Sequence, residues 1–213
     1  MNEITVAFLK RQQEEIKQER KNREKLIEKE IKKLAKVDAL TEACLSLKGC
    51  GFITIANLLV YVDLEKARHA SSLWAYVGLD KPSHERYKPG EAGGGNKTLR
   101  TALYVWAGVQ IKQGGPYRKI YDDTKHRLEN SNKLVKSRTT QKKLVEMAWK
   151  DTKPSHRHGA AMRKMIKSFL ADYWYVGRTL KGLPTDALYA EAILGGNHRT
   201  VMPEERGWAY KKE

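Results

Sequence analysis

Apolar positions are sparse at the start of the chain. From Lys10 to Lys36 they thin to a narrow seam, Ile27, Ile31, Leu34 and Val37, spaced three or four residues apart among charges. Residues 1–48 hold neither Gly nor Pro, and strong helix formers fill the stretch. Glu19 with Arg23 and Glu28 with Lys32 are favourable i,i+4 pairs. The pattern predicts one long helix in a coiled-coil hairpin or dimer. The alternative is a single solvated helix packed only at its C-terminal end.

The pattern changes at Leu47. A short glycine-containing segment leads into an apolar run that reads as a helix to about Val62. Ser71 and Ser72 suit the cap of a short helix, Leu73 to Val77, ended by Gly78. Asp80 to Gly95 is a polar loop, long enough to suggest a function. The next helix begins near Asn96, with Leu99, Leu103 and Trp106 on its buried face and Lys97 and Arg100 toward the loop. Gly114-Gly115-Pro116 breaks the chain, with Pro116 placed for N1 of a helix from Tyr117 to Leu128. Asn130 to Ser137 reads as a polar connector and Thr139 to Trp149 as a helix. A last helix, from about Arg157 to Val176, carries Met162, Met165, Ile166, Phe169, Leu170 and Trp174 at core spacing. Gly182-Leu183-Pro184 stops it, and the tail from Thr185 is short and ends basic.

Period-two alternation is almost absent, so the expected fold is all-α. It comprises a long N-terminal coiled-coil-like helix, a helix-hairpin-helix core and a C-terminal helical bundle. The expected division is 1–40, 41–112, 113–184 and 185–213.

Charge narrows the function. The chain of 213 residues has 41 Lys and Arg against 25 Asp and Glu, a net charge of +16. Such an excess points to a polyanionic partner, with nucleic acid foremost and binding that weakens steeply with salt. No apolar run approaches the ~20 residues of a membrane span, no amphipathic lipid-seeking stretch stands out, and no signal-peptide core is visible. A membrane partner is not expected. Cys44 and Cys50 make neither a disulfide framework nor a zinc site. A cytoplasmic, nucleoid-associated protein of prokaryotic or phage origin is expected, with no metal site of its own.

The segment Lys48-Gly49-Cys50-Gly51-Phe52-Ile53 carries the sharpest chemistry. Two glycines permit a tight turn with positive φ. The turn opens a helix whose first N–H groups lack intrahelical partners and whose dipole is positive at that end. Both features suit a phosphate. Ala56 lets two helices pack closely, and Lys48 adds a cation at the rim. The alternative is an ordinary interhelical turn.

Three blocks extend this pattern. They are the hairpin, then Leu73-Trp74-Ala75-Tyr76-Val77-Gly78-Leu79, then Gly95-Asn96-Lys97-Thr98-Leu99-Arg100-Thr101-Ala102-Leu103. In order and spacing they resemble the C-terminal domain of insertion-sequence transposases of the IS one-ten type, relatives of the Piv DNA invertase, over about Cys44 to Ala107. The resemblance implies a role in DNA transposition or recombination, with a preceding coiled coil. It allows a guide or structured RNA. Members of that family carry a RuvC-like domain with acidic metal ligands. That domain is expected to be missing here, so Mg²⁺ enters only with a partner that supplies it. The family loop also carries a serine pair thought to hold the nucleophile, where this chain has Pro82-Ser83-His84-Glu85-Arg86-Tyr87-Lys88-Pro89-Gly90.

The remaining chemistry-bearing residues are weighed against simpler roles. Ser83, beside His84 and Glu85, and Tyr87, between Arg86 and Lys88, are the candidate nucleophiles. The simpler role for Tyr87 is packing on DNA sugar or on the domain. His156 and His158, two apart on a helix, diverge and suit capping or phosphate contact better than metal. Asp122 and Asp123 do not converge. Arg163, Lys164 and Lys167, like Arg118, Lys119, Lys125 and Arg127, are a solvated face or a backbone-contact surface. The expected DNA-contacting set is Lys48, Gly49, Cys50, Gly51, Phe52, Ile53, Arg86, Lys88, Asn96, Lys97 and Arg100. The expected function is duplex-backbone binding, with homo-oligomerisation through residues 10–40. An active recombinase using Ser83 or Tyr87 is one alternative, and an RNA-binding or assembly module is the other.

Overall fold

The computed structural model describes residues 3–81, 95–138, 143–185 and 201–211. Within them lie α1 (Glu3–Leu34), α2 (Ala39–Ser46), α3 (Phe52–Tyr61), α4 (Ala70–Tyr76), α5 (Lys97–Gln113), α6 (Arg118–Glu129), β1 (Leu134–Arg138), β2 (Leu144–Ala148) and α7 (Pro154–Leu180). The fold is mostly helical, as the periodicity predicts.

The first helix is continuous, laced by i,i+4 pairs such as Arg11–Glu15 and Arg20–Glu24, both 3.0 Å. Only its C-terminal part is covered within the chain. Ile31 is buried and Ile27 packs on the core, while Ile4, Phe8, Leu9 and Ile16 stay exposed. The seam does not continue as expected. Leu34 is the last helical residue and Val37 is 85% exposed, because a turn reverses the chain into α2. That reversal is fixed by Asp38, whose carboxylate accepts the Thr41 N–H at 2.8 Å.

One core runs from Ile31 of α1 through α2, α3 and α4, and its aromatic centre lies between α5, the start of α6 and α7. Trp106 stacks on Phe169 at 4.1 Å, Tyr117 meets both edge-on, and Trp208 closes the far side of Phe169 at 6.0 Å. Burial of such rings dominates the stability of a domain this size. One polar network sits inside it. Asp172 accepts from the Tyr117 hydroxyl and from two nitrogens of Arg206, and Trp208 Nε1 donates to Tyr117 Oη at 2.6 Å. Burial pushes the Asp172 carboxyl above its ordinary range, and Arg206 and Tyr117 pull it back. The tail expected to be merely short and basic thus supplies core residues.

Two further expectations are corrected. The segments expected to be a connector over 130–137 and a helix over 139–149 form an antiparallel pair, registered from Leu134 opposite Ala148 to Arg138 opposite Leu144. Leu144, Val145, Met147 and Ala148 satisfy a helical spacing as well as a strand over five residues. The hydrogen-bonding partner Leu134–Arg138 decides between them. Pro116 lies before α6 rather than at its first position, with Tyr117 as the N-cap, whereas Pro154 opens α7 three residues earlier than expected.

Candidate nucleic-acid interface

Between α2 and α3 the chain turns through Leu47-Lys48-Gly49-Cys50-Gly51. Gly49 adopts φ +81°, which the tight turn demands. Gly51 does not share it, contrary to expectation; at φ −79° and ψ 163° it is the extended N-cap of α3. The two glycines therefore have different reasons to be there. At Gly49 a Cβ would stand 2.6 Å from Gln110 Nε2, whereas at Gly51 a Cβ would meet nothing within 4 Å.

Gln110 is the residue that holds the turn. It lies on α5, 1% exposed. Its Nε2 donates to the Lys48 carbonyl at 2.8 Å and its Oε1 accepts the Tyr117 N–H at 3.4 Å. Gly115 is needed beside it, since a Cβ there would overlap the Gln110 amide. The sequence offered one signal for this role. Gln110 falls one turn beyond Trp106 and two beyond Leu103, a polar residue on an otherwise apolar face.

The turn delivers an open helix start. The first backbone bond into α3 is Ile55 N–H to Gly51 O at 3.1 Å. The N–H groups of Phe52, Ile53 and Thr54 have no acceptor among the described residues. No acidic residue occupies that first turn, so the positive end of the helix dipole is uncompensated.

These donors border a groove of about 970 Å³ between the turn, α1 and α5. One wall is Lys21, Glu24, Lys25 and Glu28 of α1; the other is Val105, Val109 and Gln113 of α5, with Trp106 at its base. The two carboxylates are already engaged, Glu24 by Arg20 at 3.0 Å and Glu28 by Lys32 at 2.6 Å. Lys21, Lys25 and Lys48 have no carboxylate partner among the described residues. Lys32 caps the end of this wall with its ammonium 5.3 Å from the centre of the Phe52 ring. Sequence reasoning missed Lys21 and Lys25. Their signal was a stripe at helical spacing, Lys21, Lys25, Glu28 and Lys32, running into the buried Ile31.

The other expected residues are distributed as follows. Cys50 is buried and lines the groove; the thiol of its neighbour Cys44 is pushed up by a hydrogen bond to Cys50 and by burial. Asn96, Lys97 and Arg100 lie at the other end of α5, roughly 15–20 Å from Gln110 at 1.5 Å per residue. Asn96 is the N-cap of α5: its side chain accepts from Leu99 N–H at 2.9 Å and donates to Tyr76 Oη at 3.2 Å. Lys97 is exposed and Arg100 half-buried. Ser83, His84, Glu85, Arg86, Tyr87 and Lys88 lie outside the described residues. His156 bonds Ser137 Oγ at 2.9 Å and His158 bonds Tyr121 Oη at 2.7 Å, so both tie α7 to its neighbours instead of capping it. Asp122 and Asp123 are paired with Arg118 and Lys119 on their own helix.

The end of α5 near Asn96 is closed. Gly95 has φ +69°, and a Cβ on it would lie 2.5 Å from the Gly78 nitrogen and 2.8 Å from the Val77 carbonyl carbon. Asn96 N–H donates to Tyr76 O at 2.7 Å. The second and third sequence blocks thus meet backbone to backbone.

Residues 41–122 match the model of the Transposase IS116/IS110/IS902 family. The match runs from α2 into α6, covers less than half of the chain and agrees with the resemblance of the three blocks. No match was found among curated proteins or among solved structures. Among the described residues no helix is long and apolar enough to cross a membrane.

Proposed function

We propose that this chain is a transposase-like DNA-binding protein acting in DNA transposition or recombination, and that it grips duplex backbone at the α2–α3 turn. The family match over residues 41–122 supports the transposition role. The observation that carries the contact is the pairing of three open N–H donors, on Phe52, Ile53 and Thr54, with the unpaired ammonium groups of Lys21, Lys25 and Lys48 around one groove. A phosphate in that groove would meet oriented donors, a helix dipole and mobile cations at once. Such contacts position a protein on nucleic acid without reading its sequence.

Gly51→Asp tests this directly. The substitution fits the extended N-cap conformation and empty space at Gly51, and Asp is a favourable N-cap. It also sets a carboxylate over the open N–H groups. Fluorescence anisotropy with labelled duplex across a salt series should show affinity reduced about tenfold or more, at a thermal midpoint equal to or above that of the parent. Unchanged duplex affinity in the folded variant overturns the proposed contact. Tighter binding of structured RNA than of duplex would move the reading to RNA.

A further inference from the structure

We infer that the chain carries a second phosphate-binding face, formed by Arg127 of α6 with Lys164 and Lys167 of α7, and that its ligand is the backbone of double-stranded DNA. The inference rests on the reading of the chain as a nucleic-acid binder, but not on the hairpin groove.

On α7, Met165, Ile166, Phe169 and Leu170 are buried. Arg163, Lys164 and Lys167 occupy the outward positions between them, at i, i+1 and i+4. Arg163 is fixed to protein: its Nη2 donates to the carbonyls of Leu79, at 3.2 Å, and Lys81. Leu79 follows Gly78, the residue abutted by Gly95, so the face adjoins the N-terminal end of α5. The hairpin lies at the opposite end of that helix.

Lys167 is held at both ends by one indole. Its ammonium lies 5.1 Å from the Trp74 ring centre, and Trp74 Nε1 donates to its carbonyl at 3.0 Å. Lys164 is exposed on α7, α6 packs against α7, and the positive charge of Arg127 on α6 acts on the Lys164 ammonium. On α6 itself the charges cancel locally, through Arg118–Asp122, Lys119–Asp123 and Lys125–Glu129. Among the described residues Arg127, Lys164 and Lys167 have no such partner, and the acid that bears on Lys167 is Asp80.

The chain thus holds like charges together with little compensation. Burial and the neighbouring cations Arg163 and Lys164 hold the ammonium of the half-buried Lys167 below the ordinary lysine range; Lys164, exposed in surface area, is lowered by partial desolvation of its ammonium against the protein and by Arg127. A polyanion laid across the face relieves that repulsion. The cations spread over two helices, which suits successive phosphates of a duplex and not a single bound anion.

The experiment compares parent protein with the triple variant Arg127→Gln, Lys164→Gln, Lys167→Gln on labelled duplex across a salt series. Arg163 is left in place because it holds the segment after α4. Each lost phosphate contact should lower the steepness of log affinity against log salt by about 0.9, so the slope should fall by about 2–3. Removing like-charge repulsion should leave the melting temperature unchanged or raised. An unchanged slope in a folded triple variant overturns the second face and leaves the hairpin contact standing. A parent protein with no salt-dependent duplex binding overturns both. If the triple variant does not fold, Lys164→Glu alone serves, since that exposed side chain makes no hydrogen bond or ion pair; it should weaken binding several-fold, and unaltered affinity would count against the face. Inorganic phosphate at millimolar concentration should compete poorly with duplex. Equal competition by the free ion would overturn the duplex as the ligand.

Discussion

The two ends of α5 are built in opposite ways. At its N-terminal end backbone is closed on backbone: Gly95 exists because Gly78 occupies the space a side chain would need, and Asn96 spends its side chain on the cap. At its C-terminal end Gln110 props open a turn whose last glycine, Gly51, faces empty space at a φ any residue can adopt. Within the chain the first glycine is explained completely and the last is not. A glycine that neither conformation nor packing requires is a candidate for contact with something outside the chain, and Gly51 borders the open N–H groups.

The largest loss is expected at Gly95. Gly95→Ala forces a left-handed φ on a side-chain-bearing residue and drives its Cβ into backbone, costing about 3 kcal/mol. A domain of this size should then melt about 6–12 °C lower. A melting curve matching the parent's would mean the Gly78–Gly95 junction is not a tight contact.

Gln110→Ala comes next. It takes the side-chain donor from the Lys48 carbonyl and leaves a cavity beneath the turn, a cost of about 2 kcal/mol. Duplex affinity should fall with it, even at temperatures where circular dichroism shows the helices intact. Loss of stability with full affinity would show that the turn does not need its prop to bind.

The smallest structural effect is expected from Lys21→Gln with Lys25→Gln. Both side chains are exposed, so stability should stay within about 0.5 kcal/mol. The salt slope of duplex binding should nevertheless drop by about 2. If it does not move, α1 is not a wall of the interface, and the groove reduces to the turn alone.

Much of this was legible in the residues. The helices α3, α5 and α7 follow from apolar spacing, and Gly49 follows from the tight turn between two helical runs. The pair β1–β2 was not legible, because Leu144–Ala148 satisfies two periods over so short a span. Nor was the tail. Arg206 and Trp208 look like ordinary residues of a basic terminus until Asp172 and Tyr117, 34 and 91 residues away, are placed against them. Gln110 was visible as an anomaly on an apolar face, but its partner, the Lys48 carbonyl, is a backbone atom with no sequence signature.

Local chemistry settled what neighbours in the chain can settle. Helical periodicity, caps at Asp38 and Asn96, the break at Gly114 and the net charge of +16 are all properties of short segments or of composition. Tertiary structure alone decided which faces meet. The burial of Ile27 and Ile31 sets the rotation of α1 about its axis, and that rotation places the exposed Lys21 and Lys25 along the wall of the groove. The reason is physical: periodicity specifies a face, but the free energy that chooses its partner comes from surfaces distant in sequence.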